Sequence, residues 1–335
     1  MGRVVCFGEL LLRLTAPPRE LLFQSGRLDV HVGGAEANVA IGLACLGHAA
    51  AMVSQVPDNP LGQAAIRHLR GHGVDVSAVT RAPGRMGLYF VSPASGVRPA
   101  SITYDRESSS FAAAVPACYQ WDRLVESADL LHLSGITPAL GEGPERAALV
   151  AAKAARAGGA KVSFDGNYRA HLWQRRGGDP RQVLGALVRE ADILFGNHRD
   201  ISLLLGRAFR GDDDERRREA ALAAFEAFPD LQTIASTARH ADDCDTNRIS
   251  ARVDTREEAF ETEEIRLSGI AERIGAGDAF AAGVLHSLLG GGGIDTAART
   301  GLALACLKHS LAGDSCLFSQ SDIDAFLAGE RDVRR

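Results

Sequence analysis

Several things are scarce in this chain, and each scarcity removes a class of function. The 335 residues contain six cysteines, Cys6, Cys45, Cys118, Cys244, Cys306 and Cys316, with no Cys-x-x-Cys pair and no histidine nearby at zinc spacing. A zinc ribbon or a disulfide scaffold is therefore excluded, and reduced thiols in a cytoplasmic protein are the expectation. No apolar run reaches the length of a membrane span, so a helical membrane protein is not expected. No long basic block exists: 37 Lys and Arg stand against 42 Asp and Glu, a formal net charge of -5. Wrapping of nucleic acid needs clustered cations to displace counterions, so that class also falls away. The first eight residues, Met1-Gly2-Arg3-Val4-Val5-Cys6-Phe7-Gly8, lack a cleavable signal pattern and read as a buried strand. Repeats, low-complexity linkers and a second-domain boundary are missing too. What remains, 46% hydrophobic and 24% charged, is an ordinary globular composition, in a chain long enough for one large α/β sheet.

The patterning follows two periods. Residues 4–7 form a short apolar run closed by Gly8 and Glu9, the expected first and central strand ending at a functional edge. Residues 10–32 alternate polar and apolar around Pro17-Pro18, as do the stretches 87–91 and 100–104. That is the period of half-exposed antiparallel strands. These segments, about 10–32 and 85–108, predict a small sheet inserted outside the main one. From residue 128 onward strands and helices take turns: strands at 129–135, 161–165 and 192–195, helices at 145–157 and 180–191. Such alternation implies right-handed crossovers and a mostly parallel sheet, whose ligands bind beyond the carboxyl ends of the strands. The run Gly211-Asp212-Asp213-Asp214-Glu215-Arg216-Arg217-Arg218-Glu219 reads as the solvated face of a helix reaching Ala227. Strands are expected again at 249–253 and 261–267, and helices at 295–310 and 321–327.

The chemistry concentrates in Ile274-Gly275-Ala276-Gly277-Asp278-Ala279-Phe280-Ala281-Ala282-Gly283. Gly275 and Gly277 permit a sharp turn and close approach of a ligand. The helix that follows leaves its first N–H groups unpaired at the positive end of its dipole, a seat for phosphate. Asp278, in the first turn, can accept a proton from a substrate hydroxyl. Chain reversal and helix capping are the plainer uses of the same residues. Polar clusters elsewhere bear the same double reading. Asn38, one turn beyond Gly33-Gly34, can grip a sugar hydroxyl or bond a local carbonyl. Arg169 can clamp a carboxylate or make a surface ion pair. Asn197 and Asp200, three apart at a helix start, can hold the water shell of Mg²⁺ or cap the helix. Tyr89 and Tyr104 suit a sugar-facing surface as well as ordinary strand packing.

Four stretches in order, Gly33-Gly34 with Asn38, Asp165 to Arg169, Asn197 to Asp200, and Gly275 to Asp278, together resemble the ribokinase-like (PfkB) carbohydrate kinases. The resemblance covers essentially the whole chain, and Gly-Ala-Gly-Asp-Ala-Phe-Ala-Ala-Gly is its most specific part. It implies a single α/β kinase domain over residues 1–335, Rossmann-like, with a mostly parallel sheet flanked by helices and a small β lid. A homodimer through that lid, ATP and Mg²⁺ are implied with it. Within the family the likeness is greatest to members acting on 2-keto-3-deoxygluconate. It rests there on Glu272-Arg273-Ile274-Gly275, on Leu307-Lys308-His309-Ser310 with Gly313-Asp314, and on Phe164 to Arg169 with Leu172-Trp173. By that similarity Gly33, Gly34, Asn38, Tyr89, Tyr104, Arg106 and Arg169 line a sugar-acid site. Asp278 is the base, and Gly275, Ala276 and Gly277 form the anion hole. Asn197, Ser236, Thr237, Arg239, Gly277 and Lys308 belong to the nucleotide side, and Asn197 and Asp200 to a metal held through water. Asp200 stands where the family has Glu, Glu272 where it has Asp, and residues 236–240 lack the glycines of many family nucleotide loops.

The activity so implied is ATP-dependent phosphorylation of the terminal hydroxyl of a sugar acid, 2-keto-3-deoxygluconate to its 6-phosphate, with the carboxylate held by Arg169, Arg106 or both. A kinase for a neutral sugar or a nucleoside is the second reading. A ligand-binding relative without catalysis is the third, and the presence of Asp278 argues against it.

Overall fold

The computed structural model describes residues 1–330. Its main sheet has ten strands: β1 (Arg3–Phe7), β4 (Ala49–Pro57), β5 (Val79–Ala82), β8 (Leu130–Ser134), β9 (Lys161–Asp165), β10 (Ile193–Phe195), β11 (Thr233–Ala241), β12 (Thr246–Asp254), β13 (Ala259–Glu261) and β14 (Ile265–Ser268). The order is β13-β12-β11-β10-β9-β8-β1-β4-β5, with β14 also pairing β12. Every pair from β5 across to β11 is parallel, and β12 to β14 add an antiparallel end.

Alternation along the strands builds the core. Val4 and Cys6 of β1 enter one apolar cluster with Ile41, Met52, Phe280 and Leu304. Val5 and Phe7 enter the other with Val53, Leu133, Phe164 and Phe225. Successive residues point to opposite faces, and both faces are covered by helices, so a central strand reads as an unbroken apolar run. From β1 the chain steps to β4 and β5 on one side, then returns to β8, β9, β10 and β11 on the other. The reversal between β1 and β8 opens a crevice at their carboxyl ends.

A second, four-stranded sheet has the order β3-β2-β6-β7, from β2 (Leu11–Thr15), β3 (Asp29–Gly33), β6 (Gly87–Ser92) and β7 (Ser101–Asp105). It consists of two antiparallel hairpins joined by a parallel β2–β6 pair, where the polar–apolar alternation predicts antiparallel pairing throughout. Alternation specifies two unlike faces but not the direction of a neighbour brought in from another hairpin. Arg13, Tyr89 and Tyr104 share the inner face, and Leu14, Val30 and Phe90 the outer one.

Three local readings need correction. Residues 261–267 are not one strand: β13 ends at Glu261 and β14 begins at Ile265, and between them Thr262 Oγ1 accepts from Ala251 N at 3.0 Å in place of a backbone ladder partner. The charged run is solvated only in part: Arg217 reaches Glu261 at 3.0 Å and Arg218 reaches Asp254 at 3.0 Å, which ties the Asp214–Ala227 helix to β12 and β13. Residues 236–240 are not a loop. They continue β11, fully paired with β12 as far as Ala241.

Candidate active site

A cavity of about 780 Å³ opens where β1, β8, β9, β10 and β11 end, beneath the second sheet. The helix Ala276–Leu289 points its N-terminus into it, capped by Gly275 at φ 84°. A Cβ on Gly275 would collide with the Asp314 carbonyl, so both the dihedral and the packing demand glycine there. A Cβ on Gly277 would meet no protein atom, because that position faces the open cavity. Ala276 N bonds back to Arg273 O at 3.3 Å, whereas the N–H groups of Gly277 and Asp278 have no acceptor among the described residues. Two amide donors at a positive helix end are thus free for an anion.

Asp278 lies on the same turn and lines the same space. Its Oδ2 accepts from Asn38 Nδ2 at 2.7 Å, and Asn38 comes from the Ala35–Cys45 helix behind it. Burial pushes its pKa up to about 7, opposed by the Asn38 bond and by Arg169 and helped by the buried acids Glu36 and Asp314. A carboxylate poised near neutrality both exists as the anion and takes a proton readily.

Beyond Asp278 the cavity wall carries Asp165 and Asp200. Burial first, then the charges of Asp278 and Asp200, push Asp165 up to about 8. Burial also raises Asp200. Arg169 is the cation that opposes all three. It is exposed to the cavity, forms no ion pair among the described residues, and donates only to its neighbour Tyr168 O at 3.4 Å. Three acids crowd one arginine, and their raised pKa values show that the site disfavours their charged forms until another cation joins them. Hard carboxylate oxygens in that state fit a divalent cation that keeps its waters. No group of three His, Cys, Asp or Glu side chains among the described residues is close enough to hold a metal directly.

The same acids predict a stability effect. Asp165 has a folded pKa of about 8 against 3.8 for the free group. Between those values the unfolded chain has lost the proton and the folded chain keeps it, so stability falls as pH rises through this window. Asp165→Asn removes the ionisation. Its melting temperature relative to the parent should therefore climb between pH 5 and pH 8.5. Inside the window the gain is about 1.4 kcal/mol for each tenfold fall in proton concentration. An offset that is the same at both pH values would mean that Asp165 ionises normally in the fold.

Most of the residues singled out in the sequence meet at this cavity. Gly34, Asn38, Tyr89, Tyr104, Arg106 and Arg169 line one part, Asn197, Asp200, Ser236, Thr237 and Arg239 another, and residues 275–278 lie between. Gly33 and Lys308 do not line it. Gly33 packs against Asp314 and the Tyr89 hydroxyl. Lys308 is fully buried behind the glycine turn, with Nζ on Leu311 O at 3.1 Å. It supports the turn, and its neighbour His309 takes the place on the wall. Arg106 reaches the cavity already neutralised: Nε and Nη2 donate to Glu9 Oε2 at 2.8 and 2.5 Å, both residues are buried, and Ser109 binds the other carboxylate oxygen. Tyr89 donates its hydroxyl to Asp314, another lining residue, and offers a ring stacked on Tyr104. Asn197 and Asp200 form a capping box on the helix His198–Leu205, so the capping use applies, and their cavity-facing sides remain.

Arg13 of β2 is not among the residues singled out in the sequence. The structure buries it, paired with Glu272 at 2.6 Å and Asp314 at 3.1 Å. That network fastens the second sheet to the loops on both sides of the glycine turn. No local signal marks it, since its acids lie far along the chain.

An open helix end, a half-buried base raised toward neutrality and a carboxyl-end crevice define an α/β phosphotransferase. The pfkB family carbohydrate kinase model matches residues 1–316, and the chain belongs to that family. It is 31% identical over 328 residues to a 2-dehydro-3-deoxygalactonokinase of Haloferax volcanii, covering 98% of this chain and 97% of that one. It is 30% identical over 317 residues to a 5-dehydro-2-deoxygluconokinase of Shouchella clausii, covering 92% and 90%. The crystal structure of a 2-dehydro-3-deoxygluconokinase from Thermotoga maritima superimposes with a TM-score of 0.93 at 34% identity, covering 98% of this chain and all of that one. The protein is a carbohydrate kinase, a phosphotransferase with an alcohol group as acceptor. No helix among the described residues is long and apolar enough to cross a membrane.

Proposed function

We propose that the protein phosphorylates the terminal hydroxyl of a deoxy-keto sugar acid at the expense of ATP, with 2-keto-3-deoxygluconate as the leading substrate. The observation that carries this reading is Arg169. Its guanidinium faces the cavity beside Asp278 with no acid paired to it among the described residues. A neutral sugar gives that charge nothing to bind, whereas a carboxylate matches its fork. The names of the relatives, three different deoxy-keto acids, support the acid class.

In this mechanism Arg169 holds the carboxylate and the Tyr89–Tyr104 stack lies against the apolar face of the acid. Arg106, its charge taken by Glu9, donates to hydroxyl or keto oxygens. The terminal hydroxyl sits at Asp278, which accepts its proton as that oxygen attacks the γ-phosphorus of ATP. The free N–H groups of Gly277 and Asp278 take up the charge that develops on the transferring group. Mg²⁺, held through water by Asn197, Asp200 and the neighbouring Asp165, supplies further neutralisation of phosphate charge when bound. The second sheet acts as a lid on a single kinase unit and excludes water as a competing acceptor. Its apolar outer face at Leu14, Val30 and Phe90 serves a homodimer in the same proposal. A cytoplasmic location accords with the reading.

A coupled assay of ATP consumption across acceptors tests the proposal. Keto-deoxy aldonic acids should exceed fructose, ribose and adenosine in kcat/KM by at least about 10²-fold. Equal use of a neutral sugar would overturn the acid reading, and nucleotide binding with no turnover on any acceptor would overturn the enzyme.

A further inference from the structure

Two arginines in the cavity carry charge that no acid offsets. Arg273 is held firmly: its Nη2 donates to Asp243 O at 2.6 Å, Cys244 O at 2.8 Å and Asn247 Oδ1 at 3.1 Å. All three acceptors are neutral. Its Nε is buried without a hydrogen bond, and its Nη1 has no partner among the described residues. Arg239 projects from β11, opposite Ile249 of β12, and its guanidinium makes no hydrogen bond or ion pair among the described residues. Partial burial and the charge of Arg273 both push the Arg239 pKa down, so the two guanidinium groups repel each other. His309 lies within the field of both. Arg169 belongs to a separate set, opposed to Asp165, Asp200 and Asp278.

Two facing cations with no counter-ion are costly in a half-buried wall unless an anion joins them. The first turn of the site helix, with its free N–H groups, begins two residues beyond Arg273 and lines the same cavity. A polyanion lying from that helix end toward β11 would meet amide donors first and guanidinium donors next. We infer that Arg273 and Arg239 form a clamp for the inner phosphates of the phosphate donor, with Arg273 as the fixed jaw and Arg239 as the mobile one. This rests on the phosphotransferase reading, and it adds that the donor is gripped through its polyphosphate by side chains of the β11–β12 hairpin. Residues 236–240 run as a strand along β12 with no glycine among them, which puts side chains on this part of the wall.

Titration calorimetry with ATP, inorganic tripolyphosphate and adenosine, in the absence of any acceptor, tests the clamp. Arg239→Ala should weaken both ATP and tripolyphosphate by about 10–100-fold, the usual worth of a charge-assisted hydrogen bond, and leave adenosine within about twofold. Arg273→Lys keeps the charge but loses the fork, and should weaken the same two ligands by a smaller factor. A melting temperature equal to the parent's confirms that each variant is folded, and binding of 2-keto-3-deoxygluconate should be unchanged. Unaltered affinity for tripolyphosphate and ATP in both variants would overturn the clamp, as would a parent protein that does not bind tripolyphosphate. The two readings fail separately. A parent that binds ATP through these arginines but phosphorylates no sugar acid keeps the clamp and loses the acceptor. A parent active on the acid whose variants bind ATP normally keeps the acceptor and loses the clamp.

Discussion

Asp278→Asn lowers kcat by about 10²–10⁴-fold, the worth of a positioned general base, and leaves the fold and ATP binding in place. The amide is nearly isosteric, and its oxygen can still accept from Asn38 Nδ2, which lies 2.7 Å from the carboxylate. What is lost is the group that takes the hydroxyl proton. A pH profile separates this from a steric effect. The pKa of Asp278 is pushed up to about 7, and only the ionised form is a base. In the parent, kcat/KM should therefore rise with pH to a plateau somewhat above 7, whereas the residual activity of the variant should not follow that limb. The linkage also fixes the direction of the stability change. A carboxyl with a raised folded pKa keeps its proton longer in the folded chain, so stability falls as pH rises from the unfolded pKa toward 7 and the loss is complete above it. The variant should be at least as stable as the parent at pH 8. Near-normal turnover, or an acid limb that survives the substitution, would remove Asp278 from the chemistry.

The parts legible in the sequence are those whose causes are local. Gly275 had to be glycine for its own dihedral, and the helix after it announced an open N-terminus through the small residues that follow. β1 showed itself as an apolar run because helices bury both of its faces, and the second sheet showed itself by alternation. The parts that stayed hidden depend on partners distant in the chain. Alternation gave Arg13 a polar position but could not tell which face another layer would cover, and Glu272 and Asp314 bury it from more than two hundred residues away. Arg106 looked like a free cation because Glu9, its neutralising partner, lies 97 residues earlier, just beyond β1. Lys308 sat close in the chain to the resemblance that suggested a nucleotide contact, yet the helix Ile294–Lys308 carries it behind the glycine turn. The continuation of β11 through Arg239 was concealed by a composition that resembles a polar loop. It became a strand because β12 supplies a partner at every residue to Ala241.

That contrast between two arginines leads to the second large effect. Arg169→Ala should raise KM for the sugar acid by about 10²-fold, with a smaller change in kcat and almost none in the use of a neutral acceptor. The ammonium of Arg169→Lys should recover part of this, since it keeps the charge without the planar fork. The acid limb of the pH profile should move as well. Arg169 lowers the pKa of Asp278, so its removal shifts the limb to higher pH. Arg106→Ala is expected to behave in another way. It leaves Glu9 buried with its charge unpaired, and losing one partner of a buried pair costs about 3–5 kcal/mol. Its principal sign should be a fall in melting temperature, which Arg169→Ala should not show. If the two substitutions raise KM for the acid equally and neither destabilises the fold, both arginines meet the carboxylate. The neutralisation of Arg106 by Glu9 would then be a feature of the unliganded state, undone when substrate binds.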